Sequence, residues 1–439
     1  MALTTKDCSV DSSSDWANLP ESLLFLILDK LFVSMHHVWF AAVCKEWRAV
    51  SIQYHQETNR CPQTLCPMLM IPSEYKPQNK LTLYDVFQRK EYSKIEFPGP
   101  SLERLHDIEC LDLVSNIHGW WFRRGWSSHE AAYITTLANL FMNVAIRLPA
   151  FHVSLMRQDY WCSRIILSAD PILNPDDFMV LILNKGCATV PLAFTKAGQK
   201  FWSCYTERDG VCFEDAIFHQ GQAYAIGVGG SVFSLQLNDH SKLLDKLELA
   251  PPLGLDYDAD RELTLESSNG ELLDEEELNT GTAMVIHCRY PPKKILLAPS
   301  LGSEADKEYL VESTKGELLH VRKFYNEDGE KKHQEFKVYK VVLDGKDGGS
   351  MVQHVEVNSI GDDAIFIDEH HHSFSVLASK IPRCQPNSIY FTLTSRHRDI
   401  LIYIYDLEAG TLTLDHGKTA QYSWNMLIEP SIWVVPPVS

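Results

Sequence analysis

The chain has 439 residues, 45% of them hydrophobic and 22% charged, an ordinary globular balance that excludes wholesale disorder and gives material for two or three domains. Lys and Arg number 40 against 58 for Asp and Glu, a net charge of −18, which repels phosphate backbones and anionic lipid headgroups unless a basic patch is segregated. With no apolar run near the roughly 18–20 residues of a membrane span, no secretory leader pattern, and 11 cysteines scattered through apolar stretches, reduced thiols and an intracellular setting are expected.

Residues 1–14 are rich in Ser and Asp and are expected as a disordered tail. Leu19, Leu23, Leu24, Ile27, Leu28 and Leu31 then recur at spacings of three and four, one face of a helix, with Pro20 suited to its first turn. Ser34 can cap a second short helix carrying Val38, Phe40, Ala41 and Val43, and a third turn carries Cys44, Trp47 and Val50. Three short helices over residues 15–56 build a small core that needs a partner to be fully covered. A linker, 57–66, is punctuated by Cys61-Pro62 and ends at Cys66.

From 67 to 437 the character changes to short strands broken by Gly, Pro, Asn and Asp, among them Leu81–Val86, Phe178–Leu183, Ser231–Leu237, Ala364–Ile367, Ser388–Leu393 and Asp399–Leu407. Strand pairs ending in proline recur: Ile95–Pro98, then Ile146–Pro149 (149 − 98 = 51 residues on), then Leu247–Pro251 (251 − 149 = 102, two periods). A recurrence near 50 in an all-β chain is that of propeller blades. The expected fold is therefore a small all-α segment followed by an all-β propeller of six or seven blades. Met68–Pro72 and Ile432–Pro436 are expected to pair early with late chain in one closing blade, since an open ring exposes two edges. Residues 254–306 are expected as an inserted loop, because ten acids and one base between Asp256 and Glu277 repel one another.

Most chemical motifs fail on their own requirements. His129-Glu130-Ala131-Ala132-Tyr133 has Tyr where a zinc-protease helix needs its second His. Gly227-Val228-Gly229-Gly230 leads into a strand, whereas a phosphate loop must open a helix. Cys61 and Cys66 have no second ligand pair, and Glu369-His370-His371-His372 reads as a hairpin turn. Asp170 to Asp177 lacks the ligand spacing and central Gly of a calcium loop. Trp120-Trp121-Phe122-Arg123-Arg124-Gly125-Trp126 mixes aromatics with arginines as a single-strand nucleic-acid platform does, but packing between blades suits the acidic chain better. No catalytic residue, metal site, cofactor, nucleic acid or membrane partner is expected.

The helical segment is different. Leu19-Pro20-x-x-Leu23-Leu24-x-x-Ile27-x-x-x-Leu31 followed by Val43-Cys44-Lys45-x-Trp47-Arg48 resembles the F-box. It departs from the family in the second helix, where an acidic residue and an arginine are usual and His36, His37 and Trp39 stand instead. Further on, Leu167–Pro171, Asn174–Asp177, Phe213–Ala216, Pro386–Phe391 and Ser431–Val434 are similar to plant F-box proteins with a C-terminal KIB-type β-propeller.

The resemblance implies docking on a Skp-type adaptor and, through it, a cullin and a RING subunit, the propeller recruiting a protein target of unknown identity. The adaptor contacts it implies are Leu19, Pro20, Leu23, Leu24, Ile27, Val43, Cys44 and Trp47; it names no substrate-binding residues. Cytoplasm and/or nucleus is the implied location. Two other readings stay open: a scaffold or inhibitor that binds a target without ubiquitin transfer, and a β-propeller enzyme with a polar cluster in its central channel.

Overall fold

The structure, a computed structural model, describes residues 16, 19–31, 34–41, 43–58, 66–72, 80–96, 110–113, 120–127, 132–139, 144–149, 163–184, 192–205, 213–227, 229–237, 263–266, 284–288, 293–298, 300–302, 305–328, 331–343, 352–368, 373–394, 399–419 and 432–434. The tail 1–14 and most of the linker 57–66 lie outside them. The chain divides into two compact units, Met1–Leu65 with Pro437–Ser439, and Cys66–Pro436.

Among the described residues the first unit holds three α-helices, α1 (Glu21–Lys30), α2 (Ser34–Ala41) and α3 (Lys45–Thr58). Pro20 stands just before α1 with ψ 139°, outside the helix, and its carbonyl accepts the Leu23 and Leu24 N–H groups. Glu21 at the start of α1 and Lys30 at its end oppose the helix dipole favourably. α3 is longer than the short turn expected. Lys45 to Thr58 contains no Gly or Pro, and Ser51 and Tyr54, in its second and third turns, are buried.

The elements described in the second unit are strands, apart from the 3-10 turn Ala378–Lys380. The first sheet is built from β1 (Met68–Pro72), β2 (Lys80–Asp85) and β3 (Lys90–Glu96), the second from β4 (Cys110–Leu113), β5 (Trp120–Ser127), β6 (Ala132–Asn139) and β7 (Val144–Arg147). The third uses β8 (Ser163–Leu167), β9 (Met179–Asn184), β10 (Leu192–Lys196) and β11 (Phe201–Tyr205), and the fourth β12 (Phe213–His219), β13 (Gln222–Gly227) and β14 (Ser231–Gln236). Within 254–306 run β15 (Leu263–Glu266), β16 (Met284–Cys288) and β17 (Lys293–Ala298). The fifth sheet is β18 (Lys307–Glu312), β19 (Leu318–Asp328), β20 (Lys331–Leu343) and β21 (Val352–Val357). The sixth is β22 (Asp363–Ile367), β23 (Ser373–Leu377), β24 (Ser388–Thr394), β25 (Asp399–Asp406) and β26 (Thr411–Thr419), before β27 (Ile432–Val434).

Six sheets are thus formed among the described residues. Those beginning at Cys110, Ser163 and Phe213, and again at Lys307 and Asp363, start about fifty residues apart. β27 returns to the first sheet and pairs antiparallel with β1, Met68 opposite Val434. Early and late chain share one sheet.

The acidic stretch departs from the expected loop. β15 and β16 form an antiparallel pair that joins the third sheet, β16 running parallel to β11, and β17 completes the fourth sheet beside β14. The charge count covers Asp256 to Glu277 and leaves out the short apolar tracts Met284-Val285-Ile286, in a strand between β15 and β11, and Ile295-Leu296-Leu297, in the edge strand β17.

Strand alternation explains how the sheets stack. In the third sheet Ile165, Leu167, Val180 and Ile182 pack toward Trp120, Phe122 and Leu137 of the second, while Ile166, Leu181 and Leu183 pack toward Ala216, Ala223 and Leu235 of the fourth. In the sixth, Ile365 and Ile367 meet Val311 and Val338 of the fifth, and Ala364 and Phe366 meet Leu69 and Tyr84 of the first. Each such strand buries both faces, so its sequence is a continuous apolar run rather than an alternating one. β4 lies against β8, β8 against β12, β12 against β18 and β18 against β23.

Candidate adaptor-binding surface

The helical unit closes a core of its own. Leu24, Leu28, Phe40 and Tyr54 are buried, with Leu19, Phe25, Ile27, Leu31, Trp47 and Val50 packed around them. The Tyr54 hydroxyl donates to Asp29 Oδ1 at 2.6 Å, and Phe25 meets the Tyr54 ring edge-on with centroids 5.4 Å apart, tying α3 to α1. His37 hydrogen-bonds the Leu31 carbonyl through Nε2 at 2.7 Å, which holds α2 against the end of α1. Burial keeps the His37 imidazole below its ordinary pKa, so it is neutral and donates there. The departure in the second helix therefore has a structural role at His37, while Trp39 turns outward.

Of the expected contact residues, Leu23 and Val43 are 46% and 57% exposed, and Pro20 is exposed too. Leu19, Ile27 and Trp47 are half-buried. Trp47 is held firmly, its ring 4.5 Å from Phe40 and its Nε1–H donating to the Trp16 carbonyl at 3.1 Å. Cys44 caps α3, since the Trp47 backbone N–H reaches its Sγ at 3.4 Å and the Arg48 N–H donates to its carbonyl. Leu24 corrects the expectation. At 2% exposure it belongs to the internal core and has no surface for a partner.

Sequence reasoning missed Leu26, which is 57% exposed, and the exposed Trp16, Trp39 and Ile52. The signal for Leu26 was its place three residues after Leu23, on the stripe next to the core-facing one. A small domain carrying this much exposed apolar surface marks an interaction site.

In the larger unit the rejected motifs have structural places. Trp120, Trp121 and Phe122 are buried, and Trp120 Nε1–H donates to Asp170 Oδ1 at 3.2 Å. That carboxylate also receives the Ile172 N–H at 2.8 Å, and the Asp170 carbonyl receives Asn174 N–H, which makes Asp170–Asp177 a hydrogen-bonded turn. Gly229 and Gly230 lie between β13 and β14 of the hairpin, with Gly230 N–H returning to the Gly227 carbonyl. His129, Glu130, Cys61 and Glu369–His372 lie outside the described residues, among which no group of three His, Cys, Asp or Glu could hold a metal ion. No helix among the described residues is long and apolar enough to cross a membrane.

A family profile described as the KIB1-4 β-propeller matches residues 83–406. The chain belongs to the KIB1-4 β-propeller family. Two Arabidopsis thaliana proteins resemble this KIB1-4 member over nearly its full length. At1g65770, named as an F-box protein, is 26% identical over 90% of this chain and 93% of its own. The F-box protein At4g35733 is 21% identical over 95% of this chain and 98% of its own. A solved Bacteroides uniformis structure named for 6-phosphogluconolactonase covers 84% of this chain at 12% identity and a TM-score of 0.33, too low to carry an argument. The β-propeller that the sequence led one to expect is thus the family's fold, and its relatives are plant F-box proteins.

Proposed function

We propose that this chain is the substrate-recruiting subunit of a Skp–cullin–F-box ubiquitin ligase, its helical unit docking on a Skp-type adaptor and its propeller holding a target protein. The observation that carries the reading is the set of outward apolar side chains, Leu23, Leu26 and Val43, on a helical unit whose core is already closed by Leu24, Leu28, Phe40 and Tyr54. Its F-box relatives, which match along almost the whole chain, support a recruiting adaptor over an enzyme. On this reading the ring is closed by the sheet that β1 and β27 share, and it has six blades. Catalysis lies elsewhere in the assembly: the chain raises the effective concentration of a substrate lysine beside the charged conjugating enzyme. Cytoplasm and nucleus, where such ligases act, are the proposed locations.

Co-purification tests it. The full chain should capture a Skp-type adaptor, and a Leu23→Asp/Val43→Asp variant, altered only at exposed positions, should lose it while keeping the wild-type circular dichroism spectrum. Equal recovery by both chains rejects the docking mode. Accumulation of the bound target when the proteasome is inhibited separates a ligase from a scaffold, whose partner level stays constant.

A further inference from the structure

Alternation gives the fifth sheet two unlike faces. Tyr309, Val311, Val321 and Val338 face the sixth sheet, while Leu310, Leu318 and Val341 pack on Ile217, Ile226 and Val232 of the fourth. Directly opposed residues share a face. Glu308 is opposite Arg322, Leu310 opposite His320, and Val341 opposite His354, so a row of ionisable groups runs beside the apolar seam toward the fourth sheet.

The row is continuous. Arg322 Nε and Nη2 donate to Glu308 Oε1 at 3.1 and 3.0 Å, and Glu308 Oε2 lies 3.3 Å from His320 Nε2. His320 Nδ1 is in turn 3.4 Å from His354 Nε2. Glu308, His320 and Arg322 are buried, and His354 on β21 is half-buried, the row's opening toward water. The fourth sheet covers it with bare backbone: a Cβ at Gly230 would stand 3.2 Å from His320 Cε1 and 3.6 Å from Arg322 Nε.

With both rings neutral, the arrangement that suits these distances points His320 Nε2–H at the Glu308 carboxylate and His354 Nε2–H at His320 Nδ1, one proton between the rings. A second proton leaves two N–H groups facing each other and adds a cation to a site whose buried carboxylate, Glu308, already holds Arg322. We propose that the seam between the fourth and fifth sheets is an acid-sensitive latch, closed while His320 and His354 are neutral and loosened when they take up protons.

Glu308 offsets the added charge only in part, since burial outweighs its pull on both rings. Glu312 is taken up by His219 of β12, 3.0 Å from its Nδ1, and Asp215 of β12 by Arg164 and the Leu310 N–H. Lys337 and Tyr339 of β20 stand opposite Arg322 and His320, and Glu356 of β21 stands opposite Tyr339. Tyr224 of β13 packs beside His219 with centroids 6.2 Å apart. Burial lowers the His320 pKa. Burial, then His320 and Arg322, take His354 from 6.5 to about 4. A base lowered on folding contributes stability that is intact above the unfolded value and is lost as pH falls from 6.5 toward 4.

The latch is independent of the ubiquitin reading and is tested on the full chain by urea unfolding at pH 7.5 and pH 5. His354→Gln keeps a donor for His320 Nδ1 but cannot titrate. Acidification should raise the wild-type unfolding constant roughly tenfold more than that of the variant, the half-exposure of His354 reducing the full linkage effect. Equal responses overturn the latch. Hydrogen exchange of the wild type is the second measurement. At pH 5 protection should fall first in segments 222–237 and 307–325, and uniform loss or earlier loss in another sheet also overturns it.

Discussion

Leu23 and Leu24 differ by one position and by about 100° around α1, and that angle separates a solvent-facing side chain from a core one. Leu24→Ala should destabilise the helical unit by about 2–5 kcal/mol, read as faster hydrogen exchange across residues 21–58 of the full chain. Leu23→Ala should leave that exchange unchanged and weaken adaptor capture by roughly tenfold or more, measured by titration calorimetry. Two thiols carry a different expectation. Burial, with Asp85 adding to it, pushes Cys66 up to about 11, and burial with smaller contributions from Cys66 and Asp362 pushes Cys384 up to about 12. Iodoacetamide at pH 8 should therefore label both more slowly in the native protein than in urea, followed by mass spectrometry. The outward face was half legible at this scale: spacing gave the helix and its apolar residues, but the face each one takes depends on where α2 and α3 settle.

At the scale of elements, polar side chains join one sheet to the next at the phrases that carried the family resemblance. Asp170 receives Trp120 of the second sheet, Asp215 receives Leu310 N–H of the fifth, and Asn387 Oδ1 receives the Ile360 N–H. Asp170→Ala orphans the Trp120 and Ile172 donors at once, and each buried orphan costs about 1–3 kcal/mol. A matching drop in urea stability is expected, with the fold retained. Gly230, at φ +84° and 3.2 Å from His320 for any added Cβ, should tolerate alanine poorly: Gly230→Ala is expected to cost at least about 1 kcal/mol by the same assay. The strands of the third and sixth sheets were legible as continuous apolar runs because both faces are buried. β15 to β17 were not, since short strands need only a few apolar residues and their pairing partners lie far along the chain, β11 for β16 and β14 for β17.

For the whole molecule the decisive element is the shortest one. β27 contributes three residues, but it brings late chain onto β1, and Trp433 is buried with its ring 5.0 Å from that of Phe366 in the sixth sheet. Removing residues 432–439 should broaden the unfolding transition and lower its midpoint, followed by circular dichroism, because the first and sixth sheets lose a shared core residue. Composition, apolar periodicity and the fifty-residue recurrence were enough to set the order of a small helical unit before a propeller, since those depend on local spacing and on totals. The closed helical core that turns Leu23 outward, the strands within the acidic stretch and the histidine row between two sheets were decided only by tertiary structure. Each depends on residues far apart in the chain meeting across a packed surface, and no local pattern encodes that distance.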